Sequence, residues 1–458
     1  MAAENQALPE RQALLRSGNR QIRSRGVALS APQSTSRSRL KNILGGSLGN
    51  LVEWFDWYVY SAFGLYFASA FFPKGDQTAQ LLQTAAIFAV GFVMRPVGAW
   101  AMGIYADHRG RKAGLTLSVS LMCFGSLLIA FAPTYAQVGI VSPAILLIAR
   151  VIQGLSLGGE YGSSATYLSE MAGRERRGFW SSFQYVTIIG GQLTALALLV
   201  SLQSAFGEAA MESWGWRLAF GAGAALAVVV FFIRRRLDET LSYENVAKVV
   251  DRPKSSGRSL FRDHPREAFL VIALTAGGTL AFYAYTTYMQ KFLANTSGFD
   301  RATASRIMTV ALGLFMLWQP LAGLLSDRIG RRRMLIFFGT CGVLFTYPIF
   351  STLEQTRDPV TAFALVLAAL VIVTGYTSIN AVVKAELFPS HIRALGVALP
   401  FAIANTLFGG TAEAVALWLK DIGHERWFYI YVTVVIACSL LVYVRMRETK
   451  TTSQILED

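Results

Sequence analysis

The feature that most restricts the fold is a recurrence: apolar runs of about twenty residues, each bounded by charge, glycine or proline. A helix rises about 1.5 Å per residue, so a run of that length crosses the ~30 Å hydrocarbon core of a bilayer. Twelve runs can be marked, at about 43–72, 80–105, 113–133, 143–171, 178–205, 213–234, 267–293, 303–325, 333–352, 360–388, 394–418 and 426–445. The chain of 458 residues is 53% hydrophobic and only 15% charged, too little charge to coat a soluble protein of this size. The expected fold class is an all-α membrane protein with twelve transmembrane helices.

The net charge of +14 would fit a nucleic-acid partner. The basic residues, however, sit in short loops between apolar runs, where the positive-inside bias puts them. One set of loops holds His108–Lys112, Arg174–Arg177, Arg234–Arg266, Arg328–Arg333, His391–Arg393 and Arg445–Lys450. The other set holds scattered charges such as Lys74, Asp76, Glu208, Glu212, Glu354 and Asp358. This bias predicts both termini in the cytoplasm and no nucleic-acid partner. Residues 1–41 carry Arg11, Arg16, Arg20, Arg23, Arg25, Arg37, Arg39 and Lys41 without a short apolar core before a small-residue cleavage site. They read as a basic cytoplasmic tail, in preference to an organelle transit peptide. The division expected is a tail (1–41), a first six-helix bundle (42–235), a central loop (236–265), a second six-helix bundle (266–446) and a short tail (447–458). Cys123, Cys341 and Cys438 fall in three different runs and read as buried free thiols. His108, His264, His391 and His424 lie in loops, so no metal set and no intramembrane histidine is expected.

The two halves echo each other. Gly103-Ile-Tyr-Ala-Asp107-His-Arg-Gly110-Arg-Lys112 returns as Gly323-Leu-Leu-Ser-Asp327-Arg-Ile-Gly330-Arg-Arg332. Glu170 stands as far before Arg177 as Glu386 before Arg393, and Glu239-Thr240 returns as Glu448-Thr449. Duplication of this kind predicts two pseudo-symmetric bundles with a site at their interface near the midplane.

Inside the first run lies Asn50-Leu-Val-Glu-Trp-Phe-Asp-Trp-Tyr-Val-Tyr60. Helical spacing puts Asn50, Glu53, Asp56 or Trp57, and Tyr60 on one face. A carboxylate in the membrane is costly unless it has a polar cavity or a partner. The expectation is that this face lines a solute pathway, with water reaching Glu53 and Asp56. Arg95, in Met94-Arg-Pro-Val-Gly98 of the second run, comes out about as deep as Glu53, roughly 16 Å from the basic-loop end. Two readings of Arg95 stand: a bidentate grip on a substrate carboxylate, or a permanent ion pair with Glu53 or Asp56. Glu53 and Asp56 are the candidate proton carriers. Polar residues in other runs include Gln192 near mid-depth of the fifth and Tyr376 and Asn380 one turn apart in the tenth. Tyr283, Thr287, Gln290 and Lys291 form a stripe on the seventh, with Tyr288 beside it. Lys291 is read either as a second cation for a dianion or as a lysine snorkelling at the outer interface. Lys384, near the cytoplasmic end of the tenth run, reads as a gate or interface residue. Gly154, Gly158 and Gly162 at i+4 spacing predict close helix packing.

The repeated Gly-x-x-x-Asp-x-x-Gly-Arg-Arg/Lys loop, together with twelve spans, resembles the loop motif of the major facilitator superfamily. Arg150-Val-Ile-Gln-Gly-Leu-Ser-Leu-Gly-Gly-Glu160 resembles that superfamily's fourth-helix motif. The stretches Asn50–Phe67, Phe92–Trp100, Gln153–Glu170, Ser182–Leu193, Tyr288–Phe292 and Lys384–Gly396 resemble the metabolite:H⁺ symporters within it. His108 stands where the superfamily loop usually has Arg or Lys. The likeness, from about 42 to 445, implies proton-coupled import of 2-oxoglutarate or a similar dicarboxylate across a bacterial inner membrane by a monomer with no cofactor. Citrate, shikimate or a zwitterion such as proline or betaine is the alternative solute. A membrane sensor that binds without transporting is a remoter alternative, and no enzyme is expected. The resemblance also implies a gating or proton-linked role for Arg150, against a structural arginine that satisfies carbonyls. It implies a cavity lined by spans one, four, seven and ten, which favours Tyr283, Thr287, Tyr288 and Tyr376 as ligands. The Asp107–Arg111 and Asp327–Arg331 loops read as clasps that accept hydrogen bonds from neighbouring helix N-termini and break when the inner gate opens.

Overall fold

The computed structural model describes residues 36–73, 77–237, 239 and 256–455. The tail before Ser36, Lys74, Asp76, Thr240 and most of the expected central loop lie outside the described residues. The first half is built from Ser36–Phe71 (α1), Gln77–Arg109 (α2), Arg111–Ala130 (α3), Val141–Met171 (α4), Phe183–Ala210 (α5) and Trp216–Arg235 (α6). The second half begins with α7, which runs as Pro265–Tyr283, a wider turn over Ala284–Tyr288, and Met289–Asn295. Arg301–Ile329 (α8) and Arg331–Gln355 (α9) follow. Next comes α10, made of Pro359–Thr377 and Asn380–Leu387. Then α11 runs as Arg393–Ala404, a second wide turn over Asn405–Gly409, and Ala412–Asp421, and Glu425–Arg445 forms α12. No strand occurs among the described residues. Among the described residues ten stretches are long and apolar enough to cross a membrane. One of these, Arg174–Arg235, contains both α5 and α6, and α1 completes the twelve. Lys41–Asp458 is one compact unit.

The duplicated loops show why their residues recur. Gly110 and Gly330 have φ of 105° and 100°, a region open to glycine, so the chain can turn sharply from α2 into α3 and from α8 into α9. The first glycine of each motif allows close packing across the two halves. A Cβ on Gly103 would lie 2.9 Å from the Leu395 Cα of α11, and one on Gly323 would lie 2.5 Å from the Gly178 carbonyl oxygen. The halves therefore meet with α2 on α11 and α8 on α5 and the turn before it. The glycine stripe of α4 is a packing seam, since a Cβ on Gly158 would sit 2.2 Å from the Arg95 carbonyl oxygen.

Helix ends extend a turn past several apolar runs at the basic-loop end, for example to Arg109 and Ile329. Apolarity stops short there because the last turn is polar. The expected central loop contains a short helix, Gly257–Asp263, opened by a capping box in which Ser256 and Ser259 exchange hydrogen bonds. At the other end Asp358 caps α10, accepting from Thr361 Oγ1 at 2.6 Å and from the Thr361 and Val360 backbone N–H groups. Those bonds hold its carboxyl below the usual carboxylate range. Cys123 and Cys341 are half-buried, but Cys438 is exposed on the outer face of α12, which corrects the expectation of three buried thiols. Its run is apolar all round, so sequence does not separate a lipid-facing from a core-facing position.

Candidate functional site

A cavity of about 510 Å³ opens between the halves, in the part of the molecule away from the basic loops. Its volume falls in the usual range for small-molecule sites, about 300–1,000 Å³. Helices α1 and α2 supply Trp57, Tyr58, Tyr60, Thr84, Phe88 and Phe92, and α7 and α11 supply Tyr283, Thr287, Lys291, Gly409 and Glu413. The wide turns of α7 and α11 lie beside it. Turns of this type break helix regularity and are frequent at functional sites. Through the α7 turn, Tyr283, Thr287 and Lys291 face the cavity. Tyr60 is fixed by donating to the Thr84 carbonyl at 3.0 Å. Lys291 forms an ion pair with Glu413 inside the cavity mouth.

Arg95 lies directly behind this lining. Its guanidinium sits 4.0 Å from the Phe92 ring centroid and 4.2 Å from that of Trp57. Nη1 is 3.5 Å from the Tyr283 hydroxyl, while Nε and Nη2 are buried without hydrogen-bond partners. Among the described residues no carboxylate reaches it. A buried guanidinium with vacant donors, walled by rings that themselves line a cavity, is suited to receiving a carboxylate.

A second buried arginine, Arg150 of α4, stacks over Trp57 at 4.1 Å and Tyr60 at 4.2 Å. It donates to Gln153 Oε1 at 2.7 Å, and Gln153 in turn donates to Asp56 at 2.6 Å. Ser126 donates to the other oxygen of Asp56 at 2.5 Å. Asp56 is thus tied to the cavity wall through a chain of Gln153, Arg150 and the Trp57 and Tyr60 rings.

Glu53 belongs to a separate knot. Arg234 of α6 pairs with Glu53 at 3.1 Å and with Glu160 of α4 at 2.5 Å, all with fully buried side chains. Ser118 Oγ lies 2.7 Å from Glu53 and 2.6 Å from Glu160. Gly49 leaves room for the guanidinium, since a Cβ there would fall 1.9 Å from Arg234 Nη2.

Toward the basic loops the passage is shut. Tyr161 and Phe401 stack at 3.6 Å across the halves, and Asn380 donates to the Tyr185 hydroxyl at 3.1 Å. Beneath them the two loops dock reciprocally. Asp107 pairs with Arg111 at 2.5 Å and accepts from the Ala394 and Leu395 backbone N–H groups, both at 3.1 Å. Asp327 pairs with Arg331 at 2.7 Å and accepts from Gly178 and Phe179 at 2.8 and 2.9 Å. Glu170 joins Arg111 to Arg393, and Glu386 lies 3.7 Å from Arg331. Glu239 caps the N-terminus of α3 as Glu448 caps that of α9. The sequence echoes thus meet in two matching clusters.

Several expectations need correcting. Glu53 and Asp56 do not line the cavity, and neither pairs with Arg95. The α1 face turns Trp57 and Tyr60 to the cavity, while Asn50 packs on α5 and both acids point into the first bundle. Tyr288 is turned to α12, where its hydroxyl donates to Glu425 at 3.3 Å. Tyr376 packs on Phe338 inside the second bundle, Asn380 is closed off by Tyr185, and half-buried Gln192 lies outside the lining. Arg234, read as a loop residue, is fully buried. It heads three consecutive arginines, and only the helix period separates the inward one from its neighbours. Glu160 and Ser118 gave no usable signal, because their partners lie far away in sequence.

The Major Facilitator Superfamily model matches residues 47–412 and 292–456. The chain is 54% identical over 410 residues to an alpha-ketoglutarate permease of Escherichia coli, covering 89% of this chain and 94% of that one. It is 31% identical over 433 residues to a citrate-proton symporter of Salmonella typhi, covering 92% and 98%. The solved proton:xylose symporter XylE superposes with a TM-score of 0.79 at 17% identity, over 92% of this chain and 98% of that one, a likeness of fold. Twelve helices in two matching bundles, the paired Asp–Arg loops and a family match over most of the chain agree: this protein belongs to the Major Facilitator Superfamily.

Proposed function

We propose that this protein is a proton-coupled symporter that imports 2-oxoglutarate by alternating access. The observation that carries the reading is Arg95, a buried guanidinium with vacant donors that lies outside the cavity lining, directly behind the Trp57 and Phe92 rings that form it. The relative named alpha-ketoglutarate permease supports a dicarboxylate as the anion it meets. Tyr60, Tyr283 and Thr287 contact the solute from the cavity wall, and the Asp107–Arg111 and Asp327–Arg331 clasps form the inner gate. The protein acts as a monomer in a bacterial inner membrane, and its basic-loop end and both termini face the cytoplasm.

Asp56 is the transported-proton carrier, because Gln153 and Arg150 connect it to the cavity wall. The Glu53 knot serves the same half differently. Two carboxylates there share one arginine and one hydroxyl, and a hydroxyl has a single hydrogen to donate. Both Ser118 contacts are satisfied together when one carboxyl carries a proton and donates to Ser118 Oγ. Glu53 and Glu160 then hold a resident proton between them, and Arg234 balances the remaining charge.

Transport by purified protein in proteoliposomes tests the reading. Labelled 2-oxoglutarate accumulates when the outside is acidified, and the external medium turns alkaline during uptake. Equal uptake with and without a proton gradient, with no alkalinisation, would defeat it. The citrate-proton symporter relative makes citrate the second solute to try. Unlabelled citrate, shikimate and proline are expected to compete less well than unlabelled 2-oxoglutarate.

A further inference from the structure

A dianion with a carboxylate at each end calls for two cations, and the structure holds a second one that lacks a counter-charge. Lys384 of α10 is fully buried. Its ammonium lies 3.9 Å from the Phe401 ring centroid and 3.2 Å from the Tyr161 hydroxyl. Among the described residues no carboxylate pairs with it. An ammonium taken out of water without an anion is costly to hold, and ring faces recover only part of that cost. Lys291, by contrast, is already matched by Glu413 and half exposed.

The position of Lys384 matters as much as its charge. It stands one turn from Asn380, on the passage between the cavity and the clasps, and the rings that cage it are the stacked pair that plugs that passage. Arg95 comes from the first half and Lys384 from the second. We propose that Lys384 is the second carboxylate-binding residue, taking the distal carboxylate of the dianion while Arg95 holds the other. This rests on the dicarboxylate reading above. The bound carboxylate replaces the rings as partner of the ammonium, which draws Lys384 out of the Tyr161–Phe401 stack and loosens the floor. Binding is thereby linked to opening, since only a solute that reaches both halves releases the plug.

The test compares binding of labelled 2-oxoglutarate with competition by 2-oxobutyrate, a monocarboxylate that needs Arg95 alone. Lys384→Met fills the same ring-lined space without charge and is expected to fold with unchanged or raised thermal stability. Its affinity for 2-oxoglutarate should fall by about 30-fold or more, while 2-oxobutyrate competes as before. Lys384→Arg keeps a cation and should retain the preference for two carboxylates with an affinity shifted several-fold. A folded Lys384→Met protein that still prefers 2-oxoglutarate as strongly as the parent overturns the proposal. If Lys384→Met does not assemble, Lys384→Gln takes its place, and an unchanged affinity and preference in that neutral variant overturns the proposal equally. Failure of the parent protein to bind 2-oxoglutarate removes the solute reading itself, and the assignment of Lys384 with it.

Discussion

Arg95 and Arg234 are both buried arginines in the first bundle, yet they are held in opposite ways. Arg234 balances the one negative charge that Glu53 and Glu160 share, so removing it strands that charge in a dry interior. Removing one partner of a buried ion cluster typically costs about 3–5 kcal/mol. Arg234→Gln should therefore lower the thermal unfolding midpoint in detergent sharply, or prevent assembly. Among the described residues Arg95 has no anion to strand, and it is held by rings and a phenol. Arg95→Gln is expected to leave the melting curve within a degree or two of the parent's and to abolish 2-oxoglutarate binding. Arg95→Lys keeps the charge but loses the planar fork, so binding should be retained in weakened form. The charge of Arg95 and its place inside an apolar run were legible in the sequence, but its surroundings were not. Whether α1 presents Glu53 or Trp57 to α2 depends on helix rotation, and a period of 3.6 fixes relative faces without saying which face looks where.

At the scale of elements, the loops between α2 and α3 and between α8 and α9 were the most readable part of the chain. Their chemistry is local: glycine for the turn, glycine for the close approach, and an acid paired with the arginine four residues on. The wide turns in α7 and α11 were not readable, because Ala284–Tyr288 and Asn405–Gly409 carry no residue that demands them. The Glu53 knot was hidden for another reason, since α1, α3, α4 and α6 each supply one member. Each clasp contributes charge-assisted bonds to two backbone N–H groups of the other half, a class worth about 1.5–3 kcal/mol per bond when intact. Asp107→Asn and Asp327→Asn each weaken one docking, and under the proposal that both clasps close one gate their effects should reinforce each other. Spin labels on the exposed Arg109 and Arg328 positions report the separation of the two halves at this end. The double variant is expected to show a longer-distance population well above that of either single variant. A double variant that stays at the parent's distance would separate the clasps from gating.

For the whole molecule, the structure is closed at the basic-loop end and open at the other, and a driven cycle must connect these states to the membrane's energy. An inward-moving dianion is opposed by about 2.3 kcal/mol per charge for every 100 mV, inside negative. Accumulation therefore needs protons to travel with it, and Asp56 is the group whose partners reach the solute wall. Its links are Ser126 on α3 and Gln153 on α4, with Arg150 beyond, so protonation relaxes a contact inside the first bundle that also positions Trp57 and Tyr60. Asp56→Asn fixes the neutral form while keeping a group of the same shape. Exchange of external for internal 2-oxoglutarate, which needs no net proton movement, should persist at a substantial fraction of the parent rate. Accumulation driven by an imposed proton gradient should be lost, and external alkalinisation with it. The split between exchange and accumulation separates a coupling group from a merely structural one, because damage to the fold would depress both together. Were Asp56→Asn to accumulate solute as the parent does, the carrier would lie elsewhere, and Glu53 with Glu160 would be the pair to test next.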